Sequence, residues 1–324
     1  MYPTLFAIGR WNIPTYTVLL DLGLILGLLL TYFEGRRRLG DGSIALDLGL
    51  WAVIGGIVGG RIAYVLANWN LFSGDWVRAL RIWEGGLSFH GAFLAGLLVM
   101  VAFALLRQRS ESPISLWILS DILSPGLALG IAFGWIGCLM GGCAYGISGQ
   151  GFGYAVLPDL YGIEASRFAT QAVGIAFALL LFVGTWLARR SWPFSGATFL
   201  IYVLLYFGGQ FFLEFTRGDE AIYVGPWRLA QVLNLILALS AAVGLLALWW
   251  LSGQEGEPEP EQPLEGSGPA NDGQAVENGP APEPSTEALV EQQADQVARG
   301  KEDSQDLSDR HFQDAASEEE TPGQ

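Results

Sequence analysis

Seven long apolar runs fill the first 251 residues, with edges near 15–33, 46–66, 88–106, 116–139, 168–188, 195–215 and 228–251. A helix that crosses about 30 Å of hydrocarbon needs roughly 20 predominantly apolar residues. The runs meet that length, and short polar connections separate them. A helix on the surface of a soluble protein keeps one polar face, and these runs keep none. The pattern predicts an all-α, polytopic membrane protein with about seven transmembrane helices. The first run follows a neutral segment and precedes no small-residue cleavage site, so it reads as a retained span rather than a signal peptide.

The pattern breaks at residue 252, which divides the chain into a helical body, 1–251, and a tail, 252–324. That boundary explains how a chain that is 51% hydrophobic carries a formal charge of −15. The tail holds 19 of the 32 acidic residues and three of the 17 basic ones, leaving it at −16 and the body at +1. Its Glu, Gln, Pro, Gly, Ser and Ala cannot bury enough apolar area to offset the entropy of ordering, so it is expected to be disordered. Such a tail either meets a basic partner or is a solvated extension.

Charge also predicts orientation, because arginines beside span ends favour the cytoplasmic side. Arg36, Arg37 and Arg38 follow the first span, Arg107 and Arg109 the third, and Arg189 and Arg190 the fifth. The opposite side holds scattered bases: Arg10, Arg78, Arg81, Arg167, Arg217 and Arg228. The clustering places the N-terminus outside and the acidic tail in the cytoplasm. Two cysteines, Cys138 and Cys143, with His90 and the tail residue His311, supply too few ligands for a Cys/His zinc site. The two cysteines read first as small residues packed in a glycine-rich turn, with a disulfide on an oxidising face as the alternative.

Ionisable residues at membrane depth cost several kcal/mol unless paired or hydrated, which makes each a candidate for function. Those inside or beside the apolar runs are Asp21, Asp47, Arg61, His90, Asp121 and Glu214, with Arg217 at a span end. Arg61 follows Gly59-Gly60 and can hold a lipid phosphate through its guanidinium fork or pair with a carboxylate such as Asp121. His90 is the body's only histidine and opens the third run after Gly85-Gly86. An imidazole there suits general-base work at neutral pH. The glycine-dense stretch Gly134–Gly146 predicts a broken helix or a loop lining a wet cavity. Gln210, Glu214 and Arg217 share one helical face, with Glu214 and Arg217 in pairing range at i, i+3.

Together these clusters resemble the prolipoprotein diacylglyceryl transferase family over most of residues 6–220. Phe6-Ala7-Ile8-Gly9 with Tyr16 is similar to the family's start, and Gly60-Arg61-Ile62-Ala63-Tyr64 to its Gly-Ala-Arg-Leu-Gly-Tyr segment. Ile82–Gly91 closely resembles its Trp-x-Gly-Gly-Met-Ser-Phe-His-Gly-Gly. Asp121, Pro125 and Gly130 lead into the signature loop ending at Gly146, Thr170-Gln171 echoes a Pro-Thr-Gln motif, and Glu214 with Arg217 closes the series. Four positions depart from the family pattern. Trp135 stands for the signature-loop arginine, Cys138 for an asparagine, Cys143 for a glutamate, and Gln210 for the closing-motif arginine.

The resemblance implies transfer of the diacylglyceryl group of phosphatidylglycerol to the lipobox cysteine of a prolipoprotein signal peptide, in the bacterial inner membrane. It implies membrane lipid as surroundings, and neither a cofactor, a metal nor a nucleic-acid partner. His90 with Tyr16 is the expected catalytic pair. Arg61, Arg217, Glu214, Gly91, Gly137, Gly142 and Gly146 are expected to bind lipid and phosphate. The competing readings are an inactive paralogue that keeps the lipid cavity, supported by Trp135 and Gln210, and an unrelated transporter, which predicts an internal repeat that the sequence lacks.

Overall fold

The computed structural model describes residues 4–8, 11–108, 113–191 and 194–254. Among the described residues, seven helices are long and apolar enough to cross a membrane. They are α1 (Thr15–Leu39), α2 (Ser43–Ala67), α3 (Phe89–Arg107), α4 (Leu116–Gly141), α5 (Thr170–Ala188), α6 (Ala197–Leu213) and α7 (Leu229–Gln254). Every predicted run is such a helix, and the chain is a multi-pass membrane protein. A 3-10 turn, Glu214–Thr216, continues α6. Residues 255–324 lie outside the described residues, as do Gly9, Arg10 and Arg109, and with them the expected disorder of the tail.

The ends of the helices follow from local chemistry. α1 stops where Gly40 turns left-handed (φ 78°) and returns its N–H to the Arg36 carbonyl. Arg36, Arg37 and Arg38 fill its last turn, where cations complement the helix dipole. Ser115 caps α4 by accepting the Trp117 N–H at 3.3 Å. α4 and α6 form the centre of the bundle, and far more of each is buried than of the other spans. Packing relies on small residues where backbones cross, as expected for helices in lipid. A Cβ on Gly27 of α1 would sit 2.8 Å from the Gly126 carbonyl oxygen of α4, so only glycine fits that crossing.

At one end of the bundle a buried carboxylate, Glu34 of α1, gathers arginines. It accepts from Arg37 Nε at 2.9 Å and Arg38 Nε at 3.2 Å, and Arg189, the residue after α5, lies at 3.5 Å. Asp121, also buried, accepts the Gly196 and Phe199 N–H groups at 2.8 and 2.9 Å and so caps α6. Its cationic neighbour is Arg38, at 3.6 Å. The pairing of Arg61 with Asp121 therefore does not occur, because Asp121 is committed at this end and Arg61 lies towards the other.

The opposite end carries the connections that the span pattern did not predict. Three antiparallel hairpins sit there: β1 (Thr4–Ile8) with β2 (Trp11–Pro14), β3 (Tyr154–Pro158) with β4 (Glu164–Phe168), and β5 (Tyr223–Val224) with β6 (Trp227–Arg228). β2 packs against α1, and β5 and β6 pack against α7.

Candidate active site

Beyond α6 the chain folds back so that four charged side chains meet. Glu214, only 3% exposed, accepts from Arg217 Nη1 at 2.6 Å, and its other oxygen lies 3.0 Å from Arg228 Nε. Asp219 binds the same two arginines, accepting from Arg217 Nε at 3.0 Å and Arg228 Nη2 at 2.8 Å. Arg228 also donates to the Arg217 and Asp219 carbonyls. Two cations and two anions thus neutralise one another at the end of the spans. Burial pushes the Asp219 carboxyl up, but the Arg217 hydrogen bond and the charges of both arginines outweigh it and hold it below its ordinary range. Arg228 is buried, whereas Arg217 keeps a side-chain exposure of 24%. With three of its five N–H donors engaged by Glu214 and Asp219, Arg217 retains two for an anion.

The sequence pattern paired Glu214 with Arg217 correctly and missed Arg228 and Asp219. In the sequence Arg228 reads only as one of the scattered bases that mark topology, yet it meets Glu214, four residues on from Gln210, the residue standing for the family's closing arginine. The Gln210 amide nitrogen is itself buried without a hydrogen-bond partner.

His90 lies in the first turn of α3, and Ser88 caps that turn by accepting the Gly91 N–H at 3.4 Å. Its half-buried ring sits among Phe89 and Phe207, with centroids 5.9 and 6.2 Å away. Glu214 and Arg217 are close enough for their charges to act on it. Its hydrogen bond runs from Nε2 to Asn234 Oδ1 of α7, at 2.8 Å. Tyr16 was expected to orient His90. It opens α1 against α4, where a Cβ on Gly137 would come 3.0 Å from the Tyr16 ring. Asn234 is thus the residue hydrogen-bonded to His90, and no signal among the ionisable residues points to it.

The glycine-dense stretch is helical as far as Gly141 and then turns into a loop. Gly142 caps α4 in the left-handed region (φ 77°), and Cys143 returns its N–H to the Cys138 carbonyl. Cys138 and Cys143 form a disulfide across this helix end, which replaces the expectation of two packed thiols. The two departures from the family's polar residues are therefore one covalent bond. The loop is then threaded beside the charged cluster. Gly146 bridges Arg217, Ile147 donates to the Thr216 carbonyl, and Gly218 donates to the Tyr145 carbonyl. A Cβ on Gly146 would come 2.7 Å from Thr170 Oγ1. Gln171, fully buried, donates to the Cys143 carbonyl at 3.0 Å. The other arginine departure, Trp135, is buried against Gly174 of α5 with Ala132, Ala144, Ala178 and Leu213 around it.

Arg61 is placed differently from its expected role. Its Nε donates to the Ala79 carbonyl, Nη1 to Gly85 and Gly86, and Nη2 to Arg78 and Arg81, at 2.5–3.1 Å. These five bonds use every donor a guanidinium has, so none remains for a phosphate in this arrangement. Arg61 instead staples the connection between α2 and α3, and through Gly85 and Gly86 it fixes the approach to His90. Gly91 serves the same junction, because α2 passes so close at Gly59 that a Cβ there would lie 2.8 Å from its carbonyl oxygen.

Seven apolar spans with a polar, charged cluster collected at one end define a polytopic membrane protein. The prolipoprotein diacylglyceryl transferase family matches residues 3–250, and the chain belongs to that family. It is 33% identical over 267 residues to the phosphatidylglycerol–prolipoprotein diacylglyceryl transferase of Gloeobacter violaceus, covering 77% of this chain and 93% of the relative. The transferase of the same name from Nostoc sp. is 32% identical over 77% of this chain and 89% of its own. That of Listeria innocua is 30% identical over 75% and 88%.

Proposed function

We propose that this chain transfers the diacylglyceryl group of phosphatidylglycerol to a cysteine thiol of a prolipoprotein, the lipobox cysteine of its signal peptide. What supports this is a family scaffold that carries both a histidine held by Asn234 of α7 and, at the start of the same helix, the Glu214–Arg217–Asp219–Arg228 cluster. A free thiol has a pKa of about 8.5 and reacts as the thiolate. His90 takes the thiol proton, and the sulfur attacks the glyceryl carbon, forming C–S as the C–O bond to phosphate breaks. The departing glycerol phosphate keeps that electron pair. Arg217, with its two remaining donors, meets the phosphate, and preorganised charge of this kind is commonly the largest contribution to catalysis.

In this reading Arg61 and Gly91 fix the α2–α3 junction, and Gly142 and Gly146 fix the signature loop. Gly137 lets Tyr16 approach α4. The arginines around Glu34 support a cytoplasmic placement of that end, which puts the active site at the outer face of the bacterial inner membrane and the acidic tail inside. The paralogue reading gains nothing from Gln210, because Arg228 already supplies a second cation to Glu214. Expression of this chain is expected to restore growth to a strain depleted of its own prolipoprotein diacylglyceryl transferase. Correct membrane insertion without rescue speaks against transfer.

A further inference from the structure

Resting on the reading of His90 as the base, we infer that Asn234 is a positioning residue that selects Nδ1 of His90 as the atom that takes the proton. Asn234 lies on the first turns of α7, is 3% exposed, and presents Oδ1 to His90 Nε2 at 2.8 Å. A carbonyl oxygen only accepts, so Nε2 carries the hydrogen. In a neutral imidazole the other nitrogen is then bare. Among the described residues no hydrogen bond engages Nδ1. The bond also fixes the plane of the ring, because Phe89 and Phe207 hold its sides without offering an acceptor. A buried amide orients the imidazole without adding a charge beside it, while a carboxylate at the same place would favour the imidazolium.

The proton account is complete with this assignment. The cysteine S–H proton moves to Nδ1, leaving an imidazolium whose Nε2–H still points at Asn234. Sulfur gains the glyceryl carbon, the phosphate oxygen leaves with the bonding electrons, and the imidazolium releases its proton to phosphate or water. Among the described residues, the ionisable groups on the elements packed around His90 and its helix are Asp47, Arg61 and Tyr64 on α2, Asp121 on α4, Tyr202 and Tyr206 on α6, and Glu214, Arg217 and Arg228 beyond α6. All of them stay unchanged in the variants below, so a shift in the pH profile reports the residue at 234.

The test compares the parent, Asn234→Asp, Asn234→Leu and His90→Ala, using the full-length protein in detergent with phosphatidylglycerol and a lipobox-cysteine peptide. Rates are normalised to folded protein by gel filtration and melting. Asn234→Asp is isosteric and places a carboxylate against Nε2, which raises the pKa of the imidazole by about one unit or more. A base works deprotonated, so the acid limb of the rate profile moves to higher pH by the same amount. Asn234→Leu leaves the ring unoriented and is expected to lower kcat about 10- to 100-fold with KM nearly unchanged, the range seen when an imidazole loses its supporting partner. An unshifted acid limb in Asn234→Asp overturns the inference, whether or not Asn234→Leu is slower, because packing alone would leave that limb in place. Loss of activity in His90→Ala keeps the base reading intact in that outcome; activity retained in His90→Ala removes the reading itself.

Discussion

His90→Ala is expected to lower the rate of diacylglyceryl transfer about 10²- to 10⁴-fold, the usual contribution of a positioned general base. The reason is local. His90 is the body's only histidine, and the nearby arginines hold their protons too tightly to act as bases at neutral pH. Binding of phosphatidylglycerol should survive, since the variant leaves Arg217 and its carboxylates in place. Initial rates with a lipobox-cysteine peptide, alongside lipid binding by the same preparation, separate the two effects. A rate within about threefold of the parent places the proton acceptor elsewhere.

Glu214→Ala is expected to cost more stability than any other single change in the site. Its carboxylate joins Arg217 and Arg228, and it is almost fully enclosed. Removing one partner from a buried ion pair costs about 3–5 kcal/mol, because the remaining charge stays buried without compensation. Here two guanidinium groups would be left with Asp219 alone between them. At about 2–4 °C per kcal/mol for a chain of this size, the melting temperature in detergent should fall by about 6–20 °C. Glu214→Gln keeps the shape and the acceptor oxygen and should fall less. A parental melting temperature in Glu214→Ala would mean that water already neutralises the cluster.

The spans were legible because a run of about 20 apolar residues without a polar face has one use in a folded chain. Predicted run and observed helix start together at Thr15 and Leu116, and the other starts differ by one to three residues, while α1 runs on to Leu39, past its predicted end at 33. The hairpins were not legible. β3 and β4 are five residues each inside a polar connection, and their pairing depends on where α4 and α5 end. A search for ionisable residues at membrane depth found His90, Arg61 and Glu214 but passed over Asn234, which carries no charge. The residues around Arg61 leave it open between a lipid phosphate and a carboxylate, and only the family resemblance makes it a phosphate ligand, because glycine before arginine shows access and says nothing of the carbonyls that come to occupy it. Arg228 was hidden by its position at a span boundary, where topology explains a lone arginine well enough. The Cys138–Cys143 bond required knowing that Gly142 turns left-handed and folds the loop back over the end of α4.

Trp135 and Gln210 carry the departures that set this chain apart from the family pattern, and their surroundings differ. Trp135 fills a packed junction between α4 and α5, where a guanidinium would need partners that Ala132, Ala144 and Ala178 cannot supply. Gln210 borders Glu214, whose cationic partners come from Arg217 and Arg228. The account therefore locates the site's positive charge at the end of α6 and the start of α7. The most direct test is mass analysis of a lipobox-cysteine peptide after incubation with the purified full-length protein and phosphatidylglycerol. The account predicts a thioether adduct of one diacylglyceryl group on the cysteine, with glycerol phosphate released in equal amount. A folded protein that binds phosphatidylglycerol and leaves the peptide unmodified would contradict it.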